Sequence, residues 1–362
     1  MITPEKTTLS IGFIPLTDSA PLIVAKELGF FQRWGLDVQL KKQNSWATLR
    51  DKLHAGILDG AQMLAPMPIA STLGLGTTSH HVIAPLVLSL NGNAITFTEE
   101  LHQEILTANG LNELPLPMSA SLLGRVVEDR KQKGVEKLTF ATVFPYSCHH
   151  YQLRDWLADA GLNEDDVAIM IVPPVNMVQA MENGDIDGFC VGGPWNAKAV
   201  RGGIGVTVVT STEIWPDAPE KVLGLMAQFA ESKPNTAIAL CAALKQSCDW
   251  LESIPNRFEA ATLLCKQRYL GENLEVIAPS LIGSCLTRLH ESPRNIISYN
   301  QFSNDSLPCI NQPLPKHGKW LFEQMQQAGQ SAISEENSNK VNSIYREDIY
   351  LKAVELIQLR DY

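Results

Sequence analysis

A five-residue pattern, Gly-x-[Leu/Ile]-Asp-Gly, stands at residues 56–60 and returns at 184–188. Each copy lies between an apolar helical stretch and a strand-like one. The distance from the first strand of each unit is nearly the same: Phe13 precedes Asp59 by 46 positions and Phe140 precedes Asp187 by 47. Glycine stops a helix and releases the chain into the next element, so similar helix-stop chemistry could arise twice independently. The matched distances favour the stronger reading, two α/β lobes built on one plan.

The runs around the pattern support it. Residues 9–16 read as a buried strand closed by Pro15, then Thr17, Asp18 and Ser19 as a capping cluster, then a helix ending at Gly29. Residues 36–40 alternate as a second strand and 58–64 read as a third. Between them a helix is expected after Asn44 or Ser45, with Trp46, Leu49 and Leu53 at helical spacing. The second unit repeats this with strands at 138–144 and 167–172, helices at about 149–160 and 177–183, and a closing strand at 188–191. A β-α-β-α-β order argues for parallel strands with crossover helices. Asn91-Gly92-Asn93 lies between two apolar runs and reads either as a hairpin turn or as the point where the chain crosses between lobes. Residues 99–137 are read as a helical excursion beside the second lobe. Further strands and helices follow, with a strand at 205–210 and helices near 236–251, 257–268, 273–283, 317–328 and 347–359. The Ser-, Asn- and Glu-rich residues 330–342 read as a surface loop. The expected division is 1–92 in lobe I, 93–210 in lobe II, and 211–362 returning to lobe I.

A length of 362 residues fits two lobes at roughly 150 residues per folding unit. With 45 % hydrophobic and 19 % charged residues, the chain has enough apolar content for a substantial core. The net charge of -10, with no basic run, argues against direct nucleic-acid binding. No apolar run approaches the ~20 residues of a membrane span. The N-terminus has no basic and apolar segments of an export signal, and the seven cysteines form no CxxC pair. A cytoplasmic location is therefore expected.

Catalytic signatures of the GxGxxG, P-loop, GxSxG and HExxH types do not occur. Cys148 beside His149 offers a thiol and an imidazole, with nothing to orient them as nucleophile and base. Neighbours in sequence point apart, so the His80–His81 and His149–His150 pairs form no metal clamp by themselves. In open α/β sheets ligands bind beyond the carboxyl ends of the strands. Those positions hold Thr17–Ser19, Asn44–Trp46, Asn91–Asn93, Tyr146–His149 and Gly192–Trp195. Taken singly each is an ordinary cap, turn or, for Trp46, core residue. Taken together with Lys221 they supply donors, an aromatic face and one cation with few carboxylates, a set suited to a small anion.

Seven collinear motifs carry a resemblance along nearly the whole chain: IGFIPLTD (11–18), SWATLRDKL (45–53), NGNAIT (91–96), TFATVFP (139–145), VPP (172–174), DGFCVGGPWN (187–196) and PEKVLG (219–224). The chain resembles the nitrate- and bicarbonate-binding proteins of bacterial ABC uptake systems. That resemblance implies an α/β type II periplasmic-binding-protein clam-shell, two lobes of mixed, mainly parallel sheet with flanking helices and a ligand cleft between them. It puts the nitrate-contacting tryptophan, histidine, glycine and lysine of the family on Trp46, His149, Gly192 and Lys221. The family's NGQAIT glutamine is Asn93 here, a shorter amide. Its GEPWN glutamate is Gly193, which removes a carboxylate that a metal-assisted bicarbonate site uses. No cofactor, metal or catalytic activity is implied.

Transporter-type members are exported or lipid-anchored. Without a visible leader, the chain looks like the cytoplasmic nitrate/nitrite-sensor branch of nitrate assimilation. That branch implies a partner, an ANTAR-domain antiterminator protein that binds RNA, held inactive by the ligand-free sensor and released by nitrate or nitrite. The alternatives are the substrate-binding component of an ABC transporter whose signal peptide is absent from this sequence, and an enzyme on the same fold such as the thiamin-pyrimidine synthases. The latter carry a cysteine-rich motif that this chain does not have.

Overall fold

The computed structural model describes residues 2–360. Five strands come first: β1 (Thr8–Phe13), β2 (Asp37–Lys42), β3 (Gly60–Leu64), β4 (Val82–Asn91) and β5 (Asn93–Thr98). After two helices, Glu99–Asn109 and Ser121–Lys133, come β6 (Thr139–Thr142), β7 (Ala168–Ile171), β8 (Gly188–Gly192), β9 (Gly205–Thr210) and β10 (Pro219–Met226). They form two sheets. One has the order β2-β1-β3-β10-β4, edged by the short strand Asn300–Gln301 beyond β4. The other has the order β7-β6-β8-β5-β9. In each, the first three strands run parallel and the fourth is antiparallel to its neighbours. Each sheet is mixed because its fourth strand enters after the chain has crossed from the other sheet.

The repeated pentapeptide has the same role in both units. Gly56 and Gly184 take left-handed φ values of +69° and +76°, ending the helices before them. Leu58 and Ile186 are buried. Asp59 donates its N–H to the Ser10 carbonyl (2.8 Å), while its carboxylate accepts the Ser10 N–H (3.0 Å). Asp187 does the same with Thr139, at 2.8 and 2.7 Å. Each aspartate thus continues the ladder by one rung where a backbone carbonyl is out of reach. Gly60 and Gly188 open the parallel β1–β3 and β6–β8 ladders, paired with Ile11 and Phe140. A Cβ on Gly60 would come within 2.8 Å of Leu225, and one on Gly188 within 2.7 Å of Phe97. All four defined positions therefore have a local physical cause.

The Asn91–Asn93 step is the crossing and not a hairpin. Asn91 ends β4 in one sheet, Asn93 begins β5 in the other, and Gly92 alone separates them. Asn91 and Gly92 have φ of +57° and +97°, and Asn300 packs so near that a Cβ on Gly92 would meet its amide at 3.0 Å. The chain returns between β9 and β10. It leaves the first sheet again as the hairpin Ser284–Cys285/Arg294–Asn295, whose Thr287 carbonyl accepts the Thr207 N–H of β9 (2.8 Å).

One apolar core lies beneath the first sheet, formed with helices Ala20–Glu27, Pro234–Trp250, Ile254–Leu264 and Glu347–Gln358. A second core lies in the second lobe around Phe97, Phe140 and Trp156. A third joins the lobes, bringing Trp46 and Val222 together with Cys148, Tyr151 and Phe189. The surface loop expected at 330–342 is in part the helix Glu335–Asn342, capped by the Ser334 hydroxyl, which accepts the Asn337 N–H (3.1 Å).

Candidate functional site

The site lies where the carboxyl ends of the parallel strands of both sheets face one another. The turn Thr17–Ser19 after β1 brings in Asp18. Ser45 caps the helix Trp46–His54 by accepting the Thr48 N–H (3.2 Å), which sets Trp46 at its first position. Ser147 caps Cys148–Ala158 in the same way through the His150 N–H (3.1 Å), leaving His149 in the first turn. Asn93 opens β5, Gly192 closes β8, and β10 carries Glu220 and Lys221. Trp46, Asn93, His149, Gly192 and Lys221 are all buried.

The structure brings these five expected residues into one cluster. Lys221 Nζ stands 5.7 Å from the centre of the Trp46 ring, within range of a cation–π attraction. It lies 2.7 Å from Asp18 Oδ2 and 2.7 Å from Glu220 Oε1. Asn93 Nδ2 donates to Glu220 Oε2 (2.8 Å) and to Gln152 Oε1 (3.0 Å). His149 Nδ1 is 3.6 Å from Glu220 Oε1. A Cβ on Gly192 would stand 3.4 Å from both Asn93 Oδ1 and Asp18 Oδ2, so the glycine keeps that corner open to main-chain contact.

Two carboxylates in this cluster correct the expectation of few. Asp18 and Glu220 are both fully buried, and burial pushes both carboxyls above the ordinary range against the pull of Lys221. Burial draws Lys221 down, but the two carboxylates outweigh it and hold the ammonium protonated. Burial, with Lys221 nearby, pushes His149 well below the usual histidine value, so its ring is neutral. Burial likewise lifts the Cys148 thiol well up, and its Sγ hydrogen bond goes to the Pro219 carbonyl (3.3 Å). A thiol so held is a poor nucleophile.

Glu220 escapes sequence reasoning for a specific reason. Neighbours on a strand point to opposite faces, so Glu220 would leave the site that Lys221 enters. The pairing of β10 with β4 slips on both sides of Lys221, and that irregularity turns both side chains inward. Gln62, which donates to Asp18 Oδ1 (2.8 Å), and Gln152 also went unmarked, because a lone glutamine gives no spacing signal.

Among the described residues, Trp46 Nε1, both ring nitrogens of His149, Gln152 Nε2, Asn93 Oδ1 and Thr142 Oγ1 are buried without a hydrogen-bond partner. Lys221 has three donors; one goes to Glu220 Oε1, and the ammonium is also ion-paired with Asp18 Oδ2. Buried polar groups are rarely left unmatched. Here an indole N–H, an imidazole and a spare ammonium N–H remain beside one aromatic face, the complement of a small planar group with several acceptor oxygens.

The chain belongs to the NMT1-like family, whose family model matches residues 3–265. It is 35% identical over 352 residues to the nitrate import ATP-binding protein NrtC of Synechocystis sp., covering 96% of this chain and 50% of that protein. The chain thus spans about half the length of this curated relative. It is 32% identical over 364 residues to the nitrate/nitrite binding protein NrtA of Nostoc sp., covering 99% of this chain and 79% of that protein. Among solved structures, the periplasmic nitrate-binding protein NrtA from Synechocystis superposes with a TM-score of 0.89 at 28% identity, over 99% of this chain and 91% of that one. The fold is the α/β clam-shell of periplasmic binding proteins.

Proposed function

We propose that this chain binds nitrate or nitrite in the closed cleft between its lobes, and does so without catalysis. The observation that carries the reading is the set of unmatched donors on Trp46, His149 and Lys221 inside a fully buried site. Nitrate is planar, monovalent and weakly hydrated, so an indole can cover it while N–H groups meet its oxygens. Charge-assisted hydrogen bonds in a dry cleft are stronger than exposed ones. The likeness to nitrate/nitrite-binding NrtA supports the same ligand. Gly193 weighs against metal-assisted bicarbonate binding. Calorimetry with nitrate, nitrite and bicarbonate tests the reading, and a protein that binds bicarbonate while ignoring the other two overturns it.

The function we assign is that of a cytoplasmic sensor. Ligand-free, it holds an ANTAR-domain antiterminator inactive; on anion binding it releases that partner to act on RNA. The resemblance to the sensor branch supports this, as do seven unpaired cysteines, a set suited to a reducing compartment. Trp46 and Lys221 lie with the first sheet, His149 and Gly192 with the second. An anion held from both sides binds the closed state better than the open one, and only unequal affinity shifts a population. Reciprocity then requires the bound partner to weaken anion affinity by the same factor. Co-purification with an ANTAR-domain regulator, followed by dissociation on adding nitrate, is the test; a complex indifferent to nitrate overturns it.

The names of the relatives favour a second reading, the substrate-binding component of an ABC transporter for nitrate, nitrite or bicarbonate. Nitrate-dependent capture by a transporter's membrane subunits is the result that selects it.

A further inference from the structure

The cluster around Lys221 has more negative than positive charge before any ligand enters. One ammonium serves two carboxylates, at 2.7 Å from each. The other titratable groups facing Glu220 are His149 from the helix Cys148–Ala158, Asp18 from the turn after β1, and the thiols of Cys148 and Cys190. Burial keeps both thiols neutral and keeps the imidazole neutral. An added anion therefore meets two buried carboxylates, in an interior where like charges repel far more strongly than in water.

The surroundings of the two carboxylates differ in one respect. Asp18 Oδ1 accepts from Gln62, and Oδ2 is ion-paired with Lys221 with no neutral acceptor described beside it. Glu220 has donors as well, but its Oε1 also stands 3.6 Å from His149 Nδ1, a nitrogen that has no hydrogen-bond partner among the described residues. A neutral imidazole has one acceptor nitrogen. A protonated Glu220 that moves a few tenths of an ångström closer than this 3.6 Å can donate to that nitrogen, which fixes the tautomer and leaves the His149 Nε2–H free for the ligand.

We propose that anion binding in this cleft is coupled to the uptake of one proton by Glu220, whose carboxyl O–H then hydrogen-bonds to His149 Nδ1. The inference rests on the anion-binding reading above. The proton comes from bulk buffer while the cleft is open; the Oε1–H bond forms, and the ligand anion replaces the lost carboxylate charge beside Lys221. The net charge of the buried cluster is then the same before and after binding. Burial already holds the Glu220 carboxyl above the ordinary range, and a neighbouring anion raises it further. Between those two titrations affinity falls as pH rises, by up to tenfold per pH unit. Asp18 and Glu220 thus limit the site to anions that tolerate this exchange, a selectivity set by protons as well as by shape.

The experiment is nitrate titration calorimetry on the full chain, in two buffers of equal pH and different ionisation enthalpy, repeated between about pH 5.5 and 8.5. The expected result is an enthalpy difference equal to nearly one proton taken up per nitrate, with weaker binding at higher pH. Glu220→Gln places an amide donor where the carboxyl stood and is expected to abolish both the uptake and the pH slope. Tight nitrate binding with equal enthalpies in the two buffers overturns the proposal and leaves the ligand reading intact. Uptake that persists in Glu220→Gln also overturns it. Absence of nitrate binding at every pH overturns the ligand reading, and this proposal with it. Because the wild-type buffer pair decides the main point, a variant that fails to fold does not obscure the outcome.

Discussion

Lys221 Nζ lies 2.7 Å from Asp18 Oδ2, an ion pair with both partners fully buried, joining β10 to the turn that follows β1. Breaking such a pair from one side leaves a buried charge without compensation, at a cost of about 3–5 kcal/mol. Here removal of the lysine strands two carboxylates. Lys221→Met is expected to lower the urea midpoint accordingly and to abolish nitrate binding. Adding Asp18→Asn and Glu220→Gln to it is expected to recover most of the stability but not the binding. A single variant as stable as the wild type contradicts the account.

Trp46 offers its ring to the site and an N–H that has no partner among the described residues. Trp46→Phe keeps an aromatic face and removes the donor. A hydrogen bond to a charged group contributes about 1.5–3 kcal/mol, so nitrate affinity measured by calorimetry should fall about ten- to hundredfold. Unchanged affinity would mean that the indole only packs.

Gly193 sits where the two lobes touch. Its carbonyl accepts the Thr17 N–H (2.8 Å), and an added Cβ would stand 2.8 Å from both Ser280 Cβ and Thr17 Oγ1. Ser280 belongs to the helix Leu274–Leu281, whose Ile277 and Leu281 are seated in the first sheet's core. Gly193→Ala is expected to act as a wedge, weakening nitrate binding and enlarging the radius of gyration of the nitrate-saturated protein in small-angle scattering. Pairing it with Ser280→Gly and Thr17→Ala should restore closure, since both removed groups press on the added Cβ. If Gly193→Ala scatters and binds like the wild type, the contact has room to give.

Five histidines with depressed pKa values set the acid limit of stability. Burial holds His54, His150 and His317 down to about 4, His149 well below its ordinary value and His102 below it. Their folded pKa values are depressed, so the unfolded chain binds these protons first. Stability is full above about pH 6.5 and falls as pH drops towards 4, by up to about 1.4 kcal/mol per pH unit for each group. Burial raises Asp18, Asp155, Asp187 and Glu220, which act the other way, but the histidines outnumber them. The thermal midpoint should therefore fall between about pH 7 and 5, and less steeply in His150→Asn. A midpoint that stays level over that range contradicts the assignment.

What could be read in advance follows the range of each interaction. The pentapeptide was legible because its glycines and aspartates act on the backbone within one unit. The cluster of Trp46, Asn93, His149, Gly192 and Lys221 was legible through collinear motifs rather than through any one residue's chemistry. Asp18 was seen as a cap, while its charge partner lay 203 positions away (221 − 18). Glu220 was hidden by the slipped register of β10, a tertiary event with no local mark. The helix Glu335–Asn342 had Ser334, Glu335 and Glu336 as start signals, but its polar composition outweighed them, since only Val341 in it is buried.

At Gly92 the chain passes between the two sheets in a single residue. Asn93, the first residue past that step, is hydrogen-bonded to Glu220, so the buried cluster stands beside the point where the chain passes from one sheet to the other. Near an axis, a given rotation moves atoms little; at the outer edge of each lobe the same rotation moves them far. A turn of the lobes about this crossing would therefore change little at the cluster and much at the outer edges of the two lobes.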